Sequence, residues 1–181
     1  WNIEKNRIYE TYQELLSGEK GKLDAIAVLT PTPSHAEVVT KAIEEGYNVI
    51  SEKALATSSK EVKKIKDKLE KHKSFLAVNY NYTGYPMLRE LKNMIEAGAL
   101  GKINQIHIEM PQEGFIRLNE NGDPIIPQDW RLKDYDLPTL SLDLGVHLHH
   151  IIYFLIQERP VEVIAIENSF GSFKQIIDNI M

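Results

Sequence analysis

The sequence predicts an α/β fold whose first half is a parallel sheet, on two observations. Short apolar runs alternate with helix-length amphipathic segments, as in βαβ units with right-handed crossovers. The first run is continuous apolar sequence rather than an apolar/polar alternation, which suits a strand covered on both faces.

The elements follow in order. DAIAVL (24–29) is the first strand, and PTPSH follows it. Ser34 is a plausible N-cap for AEVVTKAIEEG, which ends at Gly46. NVIS (48–51) is the second strand, and the helix after it, TSSKEVKKIKDKLEKHK, carries Val62, Ile65 and Leu69 at helical spacing. Its lysines are interspersed with Glu61, Asp67 and Glu70, so it reads as a solvated, ion-paired face rather than a basic binding surface. SFLAVNY (74–80) is the third strand. Tyr85-Pro86 opens the helix MLRELKNMIEAGALG, with proline at a tolerated first-turn position. KINQIHIEM (102–110) alternates like a half-exposed strand. Residues 111–138 are polar and proline-rich and read as a long loop over a site. A histidine-bearing helix over roughly 140–156 and a strand, PVEVIAIE (160–167), complete the series.

Bulk properties remove several functions. A net charge of -5 argues against a nucleic-acid surface, which needs clustered Lys and Arg. The chain has 0 cysteines, which excludes disulfides and thiolate metal sites and fits a reducing cytoplasm. No apolar run approaches the roughly 20 residues of a membrane helix. The opening WNIEKNRIYE lacks the apolar core of a signal peptide. Because the sequence starts without Met and stops at QIIDNIM without a turn or cap, it reads as a fragment of something longer.

Four stretches carry candidate chemistry. SLDLGVHLHHIIYFL (141–155) holds three of the 6 histidines, and on an ideal helix Asp143, His147 and His150 share one face while His149 points elsewhere. Three readings stand open here: a zinc site, an acid/base histidine oriented by a carboxylate, or satisfied core and cap residues. ISEKALA (50–56) ends a strand in Ser51, Glu52 and Lys53, where open α/β sheets bind ligands. A lysine there polarises a substrate oxygen or forms a surface ion pair. LTPTPSH (29–35) and VNYNYTGYP (78–86) are either ligand seats at strand ends or ordinary turns.

Taken in order, these segments resemble the glucose–fructose oxidoreductase/inositol dehydrogenase (Gfo/Idh/MocA) family, over nearly the whole chain. The resemblance implies that residues 1–82 are the second part of a Rossmann-like dinucleotide-binding domain. Residues 83–181 would be the first part of a C-terminal domain with a mostly antiparallel sheet. It implies an NAD- or NADP-dependent enzyme moving hydride between nicotinamide and a hydroxyl-bearing carbon of a sugar, polyol or sugar nucleotide. By position, Lys53 would hold the reacting oxygen, His147 would be the general acid/base, and Asp143 would bind substrate hydroxyls and orient it. No metal is needed. Thr30, Pro31, Ser34, His35, Glu52, Lys53 and Asn81 would lie along the cofactor, and Tyr82, Trp130, Arg131 and His150 along the substrate. His149 would be structural. A homo-oligomer, dimer or tetramer, in the cytoplasm is the matching expectation, without membrane or nucleic-acid partners.

Departures from the family pattern bear on substrate more than fold. Its Glu-Lys-Pro is Glu52-Lys53-Ala54, its glycine-rich lead-in to the aspartate is Leu137-Pro138-Thr139, its Arg after Asn-Tyr is Thr83, and a common Asp is His150. The ten glycines nowhere take G-x-G-x-x-G spacing, so the expectation is that the pyrophosphate loop precedes Trp1. Two rivals of the same fold are a non-catalytic dinucleotide sensor and an NAD-dependent glycosidase. A metal-dependent hydrolase is a third rival.

Overall fold

A computed structural model describes residues 3–181. The chain divides into two compact units, the first ending at Asn79 and the second beginning at Tyr80.

The first unit is a three-stranded parallel sheet in the order β1 (Ala25–Val28), β2 (Asn48–Glu52), β3 (Leu76–Asn79). Val28 pairs with Ser51, and Glu52 with Asn79, so these strands end side by side. A helix α1 (Tyr12–Gly18) precedes the sheet, and its N-cap Thr11 forms a reciprocal capping box with Glu14. The crossovers are α2 (Thr32–Glu44) and α3 (Ser59–His72).

α2 starts two residues before the expected cap. Pro31 occupies the N-cap position, and Ser34 lies inside the first turn with its amide donating to the Pro31 carbonyl at 3.0 Å. Pro33 is tolerated there because first-turn amides have no intrahelical acceptor to lose. α2 closes before Gly46, whose φ of 89° reverses the chain into β2. Ser58 caps α3 by accepting from the Glu61 amide at 3.3 Å, while Glu61 accepts from Thr57. The lysine face of α3 is ion-paired: Lys68 reaches Glu44 on α2 at 2.5 Å, and Lys66 approaches Glu70.

Val39, Ala42 and Ile43 stand at i, i+3 and i+4 on α2 and are 0% exposed, as is Val49 on β2. Leu16, Ile26, Val28 and Ile65 belong to the same core, with Ala36, Val38, Tyr47 and Ala56. Ile43→Ala is therefore expected to cost about 2–5 kcal/mol in urea unfolding. Lys20 and Lys41 both donate to Glu45 at 2.9 Å. These hydrogen-bonded ammonium groups hold its carboxyl at about 2, below the ordinary 4.5. The stability it contributes is complete above pH 4.5 and is lost as pH falls toward about 2. Glu45→Gln should flatten acid unfolding in that window.

In the second unit a 3-10 turn, Asn81–Gly84, leads into α4 (Pro86–Glu96), which packs against α5 (Val146–Ile156). Residues 111–138 form an irregular segment with short turns, an isolated antiparallel bridge between Leu118 and Pro124, and a 3-10 turn at Asp129–Leu132. Asp134 pins this region by accepting the amides of Thr139 at 2.7 Å and Ile177 at 2.8 Å. β4 (Glu167–Asn168) and β5 (Asn179–Ile180) make a two-stranded antiparallel sheet.

Two expected strands do not form. Residues 102–110 enter no ladder, and of 160–167 only Glu167 joins one; Val161 is 97% and Ile164 91% exposed. Their sequences have strand periodicity, but a strand exists only where a second segment supplies its hydrogen bonds. None of the described residues does so for 102–110, and in 160–167 only the last two residues are met, Ile166 exchanging amide–carbonyl bonds with Met181 at 2.9 and 3.0 Å. The helix expected over 140–156 is also divided: Ser141–Gly145 is a π-helical turn and the α-helix begins at Val146. No helix among the described residues is long and apolar enough to cross a membrane.

Candidate active site

In the first unit, the candidate residues gather at the carboxyl ends of β1 and β2. Thr30 and Pro31 are exposed after β1, and Glu52 and Lys53 half-buried at the end of β2. Their proximity follows from the parallel register, which sets Val28 beside Ser51. Asn79 donates from Nδ2 to Glu52 Oε1 at 2.7 Å, fixing the carboxylate at the strand end. Ser34 donates to Thr30 Oγ1 at 2.7 Å, closing the loop between β1 and α2. His35 is buried, and its two ring nitrogens face backbone carbonyls rather than solvent. The Lys53–Ala54 peptide is cis.

In the second unit, Asp143 sits on the π turn at one wall of a cavity of about 350 Å³. Gln112, Arg117, Gln128 and Arg131 line it with polar groups; Phe115, Ile125, Pro127 and Leu144 supply apolar surface. That mixture suits a ligand with both polar edges and apolar faces. Arg131 donates from Nε to Asp143 Oδ2 at 2.8 Å and from Nη1 to Gln128 Oε1 at 2.5 Å. Its guanidinium also lies 4.4 Å over the Trp130 ring. Trp130 and Arg131 thus belong to one network around Asp143.

His147 is 5% exposed on the first turn of α5. Tyr82 meets its ring edge-on with centroids 4.6 Å apart, and Tyr80 does so at 6.0 Å. His150 stacks on Tyr80 at 4.1 Å and 13°. Burial lowers the His150 pKa below the usual histidine value and raises that of Tyr80 above the usual phenol. His149 is exposed, as expected for a residue on the other side of the helix, and Asn81 is exposed at the start of its turn. Among the described residues no group of three His, Asp or Glu is arranged to hold a metal ion.

The sequence offered no sign of Tyr80, the residue that touches both His147 and His150, beyond its place at a strand end. Gln112, Phe115 and Gln128 were hidden in an aperiodic loop, where local pattern carries no information about what faces a cavity.

Residues 2–80 match the model for an oxidoreductase family with an NAD-binding Rossmann fold, and residues 88–180 match the Gfo/Idh/MocA C-terminal domain. The chain belongs to the Gfo/Idh/MocA oxidoreductase family. It is 30% identical over 184 residues to the uncharacterized oxidoreductase YfiI of Bacillus subtilis, covering 98% of this chain and 47% of that protein. It is 28% identical over 137 residues to levoglucosan dehydrogenase of Pseudarthrobacter phenanthrenivorans, covering 75% and 34%. An oxidoreductase structure from Thermotoga maritima superimposes with a TM-score of 0.73 at 24% identity, covering 95% of this chain and 51% of that one, which speaks for the fold alone. The chain spans less than half the length of these two curated relatives.

Proposed function

We propose that this chain is part of an NAD(P)-dependent dehydrogenase or reductase acting on a CH–OH group of a sugar, polyol or sugar nucleotide. The observation that supports it best is the half-buried Asp143, held by Arg131 at the wall of a mixed polar and apolar cavity. Membership of the family and the resemblance to levoglucosan dehydrogenase add to it.

The residues present suit the nicotinamide end of a dinucleotide. Parallel strand ends offer exposed Thr30 and Pro31 beside half-exposed Glu52 and Lys53, with Ser34 behind them and Asn81 in the second unit. The bound cofactor would supply the hydride acceptor or donor. Alcohol oxidation also releases a proton, which the protein itself has to move. Lys53 holds the reacting oxygen and helps its proton leave. His147 is the general acid/base, in a frame of tyrosine rings that excludes water. Asp143 accepts hydrogen bonds from substrate hydroxyls, while Tyr82 and His150 shape the surroundings of His147. The same reading makes the enzyme a cytoplasmic homo-oligomer, a dimer or tetramer, which sedimentation of the full-length protein tests.

The direct test is calorimetric titration of the full-length protein with NADH and NADPH, followed by a panel of sugars and polyols scored for NAD(P)H formation. Saturable binding with turnover of at least one CH–OH compound is expected. No binding of either dinucleotide sinks the proposal. Arg131→Met should raise KM for that compound roughly 10- to 100-fold, the worth of a charge-assisted hydrogen bond. An unchanged KM would remove Arg131 and its carboxylate from substrate binding.

A further inference from the structure

We infer that His35 is a positioning residue for Lys53, and that it acts from inside the protein without touching cofactor or substrate. The inference rests on the role proposed for Lys53. His35 stands in the first turn of α2 and is 1% exposed. Its Nε2 lies 2.6 Å from the Thr30 carbonyl oxygen and its Nδ1 lies 2.7 Å from the Ala54 carbonyl oxygen. The ring therefore spans the loop that follows β1 and the loop that follows β2.

The second contact matters most. The sheet ladder holds β2 only as far as Glu52, paired with Asn79. Lys53 is the first residue beyond it, and residues 53–56 belong to no helix or strand. The backbone of the lysine is thus held on one side by the ladder and on the other by Ala54, which is 4% exposed and tethered to His35. On the opposite side of the ring, Thr30 is tied back to α2 by the Ser34 hydroxyl. A carbonyl oxygen only accepts, so a contact is a hydrogen bond only where the facing ring nitrogen carries its hydrogen, which in a neutral imidazole is one of the two. Leucine fills similar space with no donor, and asparagine offers one short arm that cannot bridge both oxygens. Loss of the bridge removes the tether next to the lysine and leaves buried Ala56 as the next fixed point on that side, and small misplacements of a reacting group cost up to about 100-fold in rate.

The test uses the full-length protein with His35→Leu and His35→Asn. Lys53 is read directly by its rate of acylation, resolved from the other lysines by mass spectrometry. Thermal unfolding and calorimetric NADH and NADPH affinity are measured alongside. In variants that remain folded, the expected result is a severalfold change in Lys53 acylation with the other lysines unaltered. A kcat loss of roughly 10- to 100-fold and nearly unchanged dinucleotide affinity should accompany it. Unchanged Lys53 acylation in either folded variant overturns the inference, because a merely structural histidine would alter stability alone. A fall in dinucleotide affinity as steep as the fall in kcat also overturns it, because His35 would then be a cofactor contact. If the wild-type protein binds neither dinucleotide and oxidises no polyol, the proposed function fails separately, and the acylation rates still decide whether His35 positions Lys53.

Discussion

Lys53→Met in the full-length enzyme is expected to lower kcat by roughly 100- to 10,000-fold, the range for removing a proton-transfer group, while dinucleotide affinity is nearly unchanged. Methionine matches the length and apolar stem of lysine and deletes only the ammonium group. The position is half-buried at the end of β2, so the fold should tolerate the exchange, and unfolding curves of the variant should overlay the parent. The asymmetry between turnover and binding is the informative part. A lysine that merely pairs with a neighbouring carboxylate at the surface contributes at most about 1 kcal/mol and would leave kcat intact. Full activity of Lys53→Met would therefore return Lys53 to the surface-pair reading. It would also leave the carboxyl end of β2 without an assigned chemical role.

The second large effect is expected at His147. Replacing it with alanine should reduce kcat by roughly 100- to 10,000-fold and abolish one limb of the pH–rate profile. The neighbouring histidines are internal controls. His149 is exposed on the same helix, and His149→Ala should leave both rate and profile unchanged. His150 stacks on Tyr80 and is held below its ordinary pKa by burial, so it stays neutral further into the acid range than a solvated histidine. His150→Ala should therefore shift the profile less than His147→Ala does. Because His147 is only 5% exposed between Tyr80 and Tyr82, some loss of stability will accompany its removal, and His147→Asn provides a smaller cavity with the same chemical deficit. A pH limb that survives in both His147 variants but disappears in His149→Ala or His150→Ala would move the acid/base role to that histidine.

Much of the first unit was legible because its signals are local. Val39, Ala42 and Ile43 mark a helix face by spacing alone, and Gly46 marks its end through a backbone angle that favours glycine. The start of α2 was less legible. Ser34 has the chemistry of a cap, yet its hydroxyl serves Thr30 and the helix begins at Thr32. Two prolines allow that earlier start by lacking amides that would need acceptors. The candidate site divides in the same way. Lys53, Asp143 and His147 stand out by residue type and position, whereas Tyr80 and Gln128 are known only from what they touch.

The sequence by itself determined the order of elements from β1 to β3, their parallel sheet, and which residues have side chains suited to acid/base chemistry, because each follows from periodicity, capping or side-chain identity within a short window. Only the tertiary structure decided that Arg131 is committed to Asp143 and that His35 faces two carbonyls instead of solvent. It also decided that residues 102–110 enter no ladder and that the strand expected over 160–167 is met only at Ile166 and Glu167. A hydrogen bond or a ladder is a relation between segments distant along the chain, and no local pattern states which partner the fold will bring.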